Sequence, residues 1–260
     1  MGIVTVITSG KGGVGKSTVA AGLGAALERR GRRVLLIDMD AGLRSLDFML
    51  GVSCDLVYDL SDVVTGNCEP SKAVYPCGGG NGLFLLPAPQ NPEDVVSPDI
   101  MTQLCRVFTR YYDHILIDCP AGLGRGFQAA IAPAQRALVI STPDPLCLRG
   151  TDRVRRLLED REIPEIRLVV NRFQAKNFFR LEGFEDLDAV IDACGIQLIA
   201  VIPEDFAVAR SAVKGVPVSG KSAAAKALHR LSARLEGEDI PLGPVIISNC
   251  SLKYNRISYR

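Results

Sequence analysis

The chain has 260 residues, 47% of them apolar and 23% charged, which excludes wholesale disorder and leaves room for one large packed core. Its formal net charge of +1 argues against a general nucleic-acid binder. Eight cysteines and two histidines are scattered without a C-x-x-C pair, so no zinc site is expected and the thiols are expected to be reduced, as in a cytosol.

The chain opens Met1-Gly2-Ile3-Val4-Thr5-Val6-Ile7, without the basic region of a signal peptide and with Val6 where a myristoylation site requires Ser or Thr. Apolar runs recur at 3–8, 34–38, 83–86, 115–118, 137–141, 168–171 and 198–202. Several are apolar at nearly every position, as strands buried on both faces are. Helical patterns fall between them at 16–30, 92–110, 149–161, 186–193 and 222–235. This alternation predicts an α/β fold, a doubly wound, mostly parallel sheet flanked by helices in a single domain. The glycines of 78–82 predict a turn before a strand. No run approaches the roughly 18 apolar residues of a spanning helix, so a soluble or surface-lying protein is expected. The domain is expected to fill 1–236, followed by a linker at 237–244 and a tail at 245–260.

Parallel α/β sheets bind ligands outside the carboxyl ends of their strands. At the first such end, Gly10-Lys11-Gly12-Gly13-Val14-Gly15-Lys16-Ser17 matches G-x-x-x-x-G-K-[ST] in full, between a strand and a helix. The glycines let backbone N–H groups curl around phosphate oxygens. Lys16 supplies charge to the phosphates, and the Ser17 hydroxyl suits Mg²⁺. A P-loop NTPase is the fold this predicts. Lys11 needs a separate account, since one lysine already serves the phosphates. It is either a surface charge or a group that reaches a facing subunit and compensates charge there.

The apolar runs at 34–38 and 115–118 end in Asp38-Met39-Asp40 and Asp118-Cys119-Pro120-Ala121-Gly122. Phosphoryl chemistry needs carboxylates to hold Mg²⁺ and to orient the attacking water, and strand-end aspartates beside a P-loop are placed for both. Helix capping is the alternative for each taken singly. The run at 168–170 leads into Asn171-Arg172. An asparagine amide offers a donor and an acceptor that suit the N6 and N7 edge of adenine, although taken alone such an asparagine is more often a strand-end turn residue.

Lys11 to Thr18, Lys-Gly-Gly-Val-Gly-Lys-Ser-Thr, resembles the deviant Walker A signature of the MinD/ParA ATPases, and Asp118 to Gly122 is similar to that family's D-x-P-A-G. The resemblance spans about 2–236 and is weak over 68–81. It implies ATP and Mg²⁺ as cofactors and a homodimer that sandwiches ATP, with Lys11 crossing to the partner's phosphates. It makes Lys11, Lys16 and Asp40 catalytic, Asp40 orienting the lytic water in switch I. It puts Ser17, Asp38 and Asp118 around the metal and starts switch II at Gly122. Thr18 joins the loop, Asn171 and Arg172 lie by the base, and Pro203 and Asp205 of Ile202-Pro203-Glu204-Asp205 cover it. No guanine-reading N-K-x-D follows, which favours ATP over GTP.

Asp40-Ala41-Gly42-Leu43-Arg44-Ser45-Leu46-Asp47, followed by Val57-Tyr58-Asp59-Leu60, resembles the MinD branch more than the plasmid-partition or flagellar-number branches. By that resemblance the chain is expected to be an ATP-hydrolysing switch that places the division septum by recruiting a division inhibitor. Expected partners are a second copy, a MinC-like inhibitor, MinE-like or DivIVA-linked regulators and an anionic membrane surface, with no specific nucleic acid. The expected location is cytoplasmic, peripheral on the cytoplasmic face of the membrane. The alternative is a ParA-like or flagellar-number-regulating ATPase in DNA segregation or organelle positioning. A nitrogenase-type reductase would need paired cysteines for an iron–sulfur cluster, and only Cys119 stands near the motifs.

The tail at 245–260 carries Lys253, Arg256 and Arg260 with Leu252, Tyr254, Ile257 and Tyr259. Its Ser, Asn and β-branched residues depart from the amphipathic helix usual in the family. ATP-dependent, reversible membrane association through it is the expectation.

Overall fold

Eight strands form a single sheet in a computed structural model that describes residues 1–243 apart from 42, 79–81, 92, 95 and 179–185. The tail, Gly42 of switch I and part of the 78–82 turn lie outside the described residues. The strands are β1 Ile3–Thr8, β2 Val34–Asp38, β3 Tyr75–Pro76, β4 Leu83–Leu86, β5 His114–Asp118, β6 Arg136–Ser141, β7 Glu165–Phe173 and β8 Leu198–Pro203. They lie in the order β3-β4-β2-β5-β1-β6-β7-β8, parallel throughout except for β3 against β4. The helices are α1 Lys16–Glu28, α2 Ser45–Leu50, α3 Leu60–Thr65, α4 Pro98–Phe108, α5 Arg125–Ile131, α6 Pro145–Glu159, α7 Ala175–Phe178, α8 Leu187–Cys194, α9 Phe206–Val213 and α10 Ala223–Leu235.

Side chains alternate across a strand, so one apolar run feeds two cores. Leu35, Ile37, Ile115 and Ile117 enter the core closed by Met101 of α4, Phe127 of α5, Val154 of α6 and Val190 of α8. Val34, Leu36 and Leu116 enter the other, closed by Leu23 and Leu27 of α1 and Leu228 and Leu231 of α10. Each such Leu or Ile stabilises the fold by about 1.5–3 kcal/mol. α1 and α10 approach so closely that a Cβ on Gly22 would lie 2.5 Å from Leu228 Cδ1.

Local chemistry explains where the helices depart from the sequence expectation. α4 starts at Pro98, well inside the expected 92–110, because the Ser97 hydroxyl accepts the Ile100 N–H at 3.3 Å and Pro98 suits the first turn. α6 starts at Pro145 rather than 149 because Asp144 Oδ1 accepts the Cys147 N–H at 3.0 Å. α2, α3 and α9 were not legible as periodic patterns, being only six, six and eight residues long. β7 runs on to Phe173, and its register against β8 shifts between Val170 and Phe173. Arg172 adopts a left-handed φ of 53° there. Such an irregularity re-aims side chains, and it lies where Asn171 faces the P-loop.

Residues 237–243, expected as a linker, follow α10 closely. Arg234 Nε donates to Ile240 O at 2.7 Å and Arg230 Nε to Leu242 O at 3.0 Å. Arg30 pairs with Glu236 at 2.6 Å and also with Glu238.

Candidate nucleotide site

The P-loop links the carboxyl end of β1 to the amino end of α1. Gly13 and Gly15 take left-handed φ values of 78° and 94°, which glycine adopts without cost and other residues rarely do. Gly15 occupies the N-cap of α1 without a capping side chain, so the first helical N–H groups stay free to meet an anion. No neighbour lies within 4 Å of where a Cβ would stand on Gly12 or Gly13, so the loop is open on its ligand side. Lys16, in the first turn, is only 9% exposed and forms no ion pair among the described residues. Its charge acts on the carboxyls of Asp40 and Asp118 without direct ion-pair contact, and a polyanion in the loop would give it one.

β2 and β5 are neighbours, and their register sets Asp38 beside Asp118. Asp38 Oδ1 accepts the Asp40 N–H at 2.8 Å and Oδ2 the Leu46 N–H at 3.4 Å, so this carboxylate also fixes the backbone at Asp40 and at the start of α2. Neither oxygen of Asp118 has a hydrogen-bond donor at normal distance; the Ser17 hydroxyl and the Lys16 charge nearby give partial relief. Burial drives both carboxyls upward, Asp38 to about 7 against two backbone hydrogen bonds, and Asp118 to about 8 with added repulsion from Asp38. Asp40 is also raised by burial, against the pull of Lys16 and a hydrogen bond from the Ala121 N–H. Two adjacent carboxylates, one with bare oxygens, beside a serine hydroxyl form an oxygen set that a divalent ion would complete.

Asn171 is buried, and its Nδ2 donates to the Val14 carbonyl at 2.8 Å. A Cβ on Gly15 would lie 2.5 Å from that Nδ2, so glycine is also required there by contact. Arg172 reaches out to Glu204, 3.2 Å away. Asp205 spends one oxygen on the Ala207 N–H at 2.9 Å and the other on the Ala224 N–H at 3.0 Å. Its carboxylate, just past Pro203 at the end of β8, therefore fixes the starts of α9 and α10.

Lys11 is half exposed, its Nζ 3.8 Å from Asp144 Oδ1. The structure thus gathers Gly10 to Thr18, Asp38, Asp40, Asp118 and Asn171 at neighbouring strand ends and sets Lys11 beside Asp144. Ala121 and Glu204 stand inside quoted motifs, D-x-P-A-G and Ile202-Pro203-Glu204-Asp205, but sequence reasoning gave neither a role. It also missed Asp144, although Asp144-Pro145 is a readable helix start.

Residues 5–218 match the model of the CobQ/CobB/MinD/ParA nucleotide-binding domain. A septum site-determining MinD of Synechocystis sp. is 39% identical over 264 residues, covering 100% of this chain and 98% of that protein. This chain belongs to the MinD branch of the MinD/ParA family. Two solved MinD structures agree with it in fold. One is the MinC:MinD cell-division complex of Aquifex aeolicus, with a TM-score of 0.85 and 37% identity over 93% of this chain and 98% of that one. The other is MinD from Pyrococcus horikoshii complexed with Mg-ADP, with a TM-score of 0.81 and 31% identity over 91% of this chain and 97% of that one. Among the described residues no helix is long and apolar enough to cross a membrane.

Proposed function

We propose that this MinD-family protein is an ATP-hydrolysing switch that dimerises around ATP, meets the inner membrane reversibly and helps place the division septum. The observation that carries the proposal is Lys16, buried without an ion-pair partner among the described residues and facing the carboxylates of Asp40 and Asp118. It is the charge arrangement of a site that awaits a phosphate chain.

Backbone N–H groups of Gly12 to Lys16 bind phosphate oxygens, and Lys16 neutralises the β and γ groups. Ser17, Asp38 and Asp118 would hold Mg²⁺, which supplies charge compensation on the phosphate oxygens. Asp40, steadied by the Ala121 N–H, accepts a hydrogen bond from the attacking water and aligns it with the γ-phosphorus. Lys11 extends to the phosphates of a second copy. Asn171, with Arg172, Pro203 and Asp205, bounds the base. A MinC-like inhibitor is the partner supported by the similarity to the MinD of the Aquifex complex, and MinE-like or DivIVA-linked regulators follow from the same family membership.

Phosphate release from Mg·ATP over a series of protein concentrations, with and without anionic vesicles, tests the proposal. Turnover that rises faster than linearly with protein and increases on vesicles is expected. Absence of turnover under every condition would overturn it.

A further inference from the structure

Asp144 stands beside the P-loop for reasons the fold makes explicit. It ends the β6–α6 connection, where its Oδ1 caps α6 through the Cys147 N–H at 3.0 Å and its Oδ2 accepts from the Thr142 hydroxyl at 2.5 Å. The carboxylate is therefore held in one orientation. α6 is in turn pressed onto the loop: a Cβ on Gly10 would lie 2.0 Å from Gly150 C, and one on Gly150 would lie 2.4 Å from Gly10 O. Only a pair of glycines permits that approach. On the loop side, the Ser9 hydroxyl donates to the Lys11 carbonyl at 2.8 Å, which fixes the backbone from which Lys11 projects. The outcome is Lys11 Nζ 3.8 Å from Asp144 Oδ1, an ion pair between two anchored backbones.

We infer that Asp144 is a positioning residue for Lys11, holding it against α6 in the single subunit and releasing it when a partner's phosphates compete for it. The inference rests on the proposal that Lys11 acts across an ATP dimer. Helix capping alone does not require a charge, since Ser or Asn caps as well as Asp. What the carboxylate adds is an anion within reach of an ammonium that would otherwise be free to enter its own loop. The restraint is weak, because the two side chains remain 50% and 36% exposed and the separation is long. A weak restraint suits a switch, since it parks the lysine without blocking assembly.

The test removes the charge and keeps the cap. Asp144→Asn and Asp144→Ser should leave nucleotide affinity of the single subunit unchanged. Dimerisation in Mg·ATP, followed by sedimentation, should tighten roughly 2- to 30-fold, the range expected for two exposed ion pairs given up per dimer. The protein concentration at half-maximal turnover should fall by the same factor while turnover per dimer stays constant. Asp144→Glu, which keeps the charge, should behave as the wild type. A capping residue without this role would give wild-type dimerisation in both neutral variants, which overturns the inference. Weaker dimerisation in both would make Asp144 a contact across the interface and also overturn it. If the wild type itself stays monomeric in Mg·ATP, the proposal of an ATP dimer fails first and takes this inference with it.

Discussion

Asn171 donates its side-chain amide to the carbonyl of Val14 at 2.8 Å, joining β7 to the P-loop across 157 positions of sequence. The bond makes Asn171 a support of the loop whether or not a base is bound. Asn171→Ala should therefore lower the stability of the nucleotide-free protein by about 1–3 kcal/mol, since it leaves a buried carbonyl unpaired. Denaturant unfolding without nucleotide checks this. Unchanged stability would confine Asn171 to the base. ATP affinity should fall as well, because the loop loses its brace.

Lys16→Ala should act on binding and on the neighbouring carboxyls. The Lys16 charge draws down the carboxyls of Asp40 and Asp118, so its removal leaves both with less relief and should not stabilise the free protein. Its loss from a phosphate cradle removes charged hydrogen bonds, and ATP affinity should drop about 100-fold or more. Calorimetry with ATP and a melting curve without it give both numbers. Equal affinity in the two proteins would contradict the assignment of the loop.

Asp40→Ala separates binding from chemistry. The Asp40 carboxylate sits in switch I, with its partner N–H on Ala121 and Lys16 nearby. Removing it takes away the group that orients water while the loop and Lys16 remain. ATP binding and ATP-dependent dimerisation should persist, and turnover should fall about 100-fold or more. A variant that no longer binds ATP would make Asp40 part of the binding site instead.

The parts legible in the sequence were those whose physics is local. Strands β1, β2 and β4 match their apolar runs end for end, because a strand buried on both faces needs apolar residues at almost every position. The P-loop was legible because Gly13 and Gly15 answer a left-handed backbone demand that few other residues meet. Residues whose role depends on a distant neighbour were not. Gly150 is unremarkable in α6 until Gly10 is seen against it. Asp205 also accepts the Ala224 N–H at the start of α10, 19 positions away, a structural task that its sequence neighbours do not announce. Asn171 kept two readings open for the same reason.

Asp38 and Asp118 give the nucleotide-free protein a pH dependence of predictable sign. Their folded values, about 7 and about 8, lie above the ordinary carboxylate range. The folded state thus holds more protons than the unfolded chain between about pH 4 and pH 8, so stability falls as pH rises through that window. Other groups run the opposite way at lower pH. Glu236, Asp205 and Asp144 have lowered values, and His114 is lowered by burial, so their changes are complete by about neutrality. From pH 7 to 8.5 the two buried aspartates lead, and the buried thiols, also raised by burial, add to the same decline toward the upper end. Denaturant midpoints without nucleotide should decline over that interval, and Asp118→Asn should flatten the decline. Added Mg·ADP should flatten it too, by giving the ionised carboxylates a cation.

Membrane attachment can be tested without disturbing the domain, because of how its last described residues are fastened. Arg230, Arg234 and Arg30 hold the stretch from Glu236 to Leu242 along α10 and the start of the sheet. A chain ending at Gly243 keeps all of these contacts, so its melting temperature and its turnover without vesicles should match the full chain. The residues removed include Lys253, Arg256 and Arg260. Each basic group near an anionic surface contributes about 1 kcal/mol, so one tail alone binds weakly and in a salt-sensitive way. Two tails on an ATP dimer act together, and the second binds at the effective concentration set by the first. Co-sedimentation with anionic vesicles should therefore require ATP, fall with added salt and be lost on truncation. Equal pelleting of the full and truncated chains would remove the tail from the mechanism. Pelleting that is the same with ADP as with ATP would remove the dimer from it.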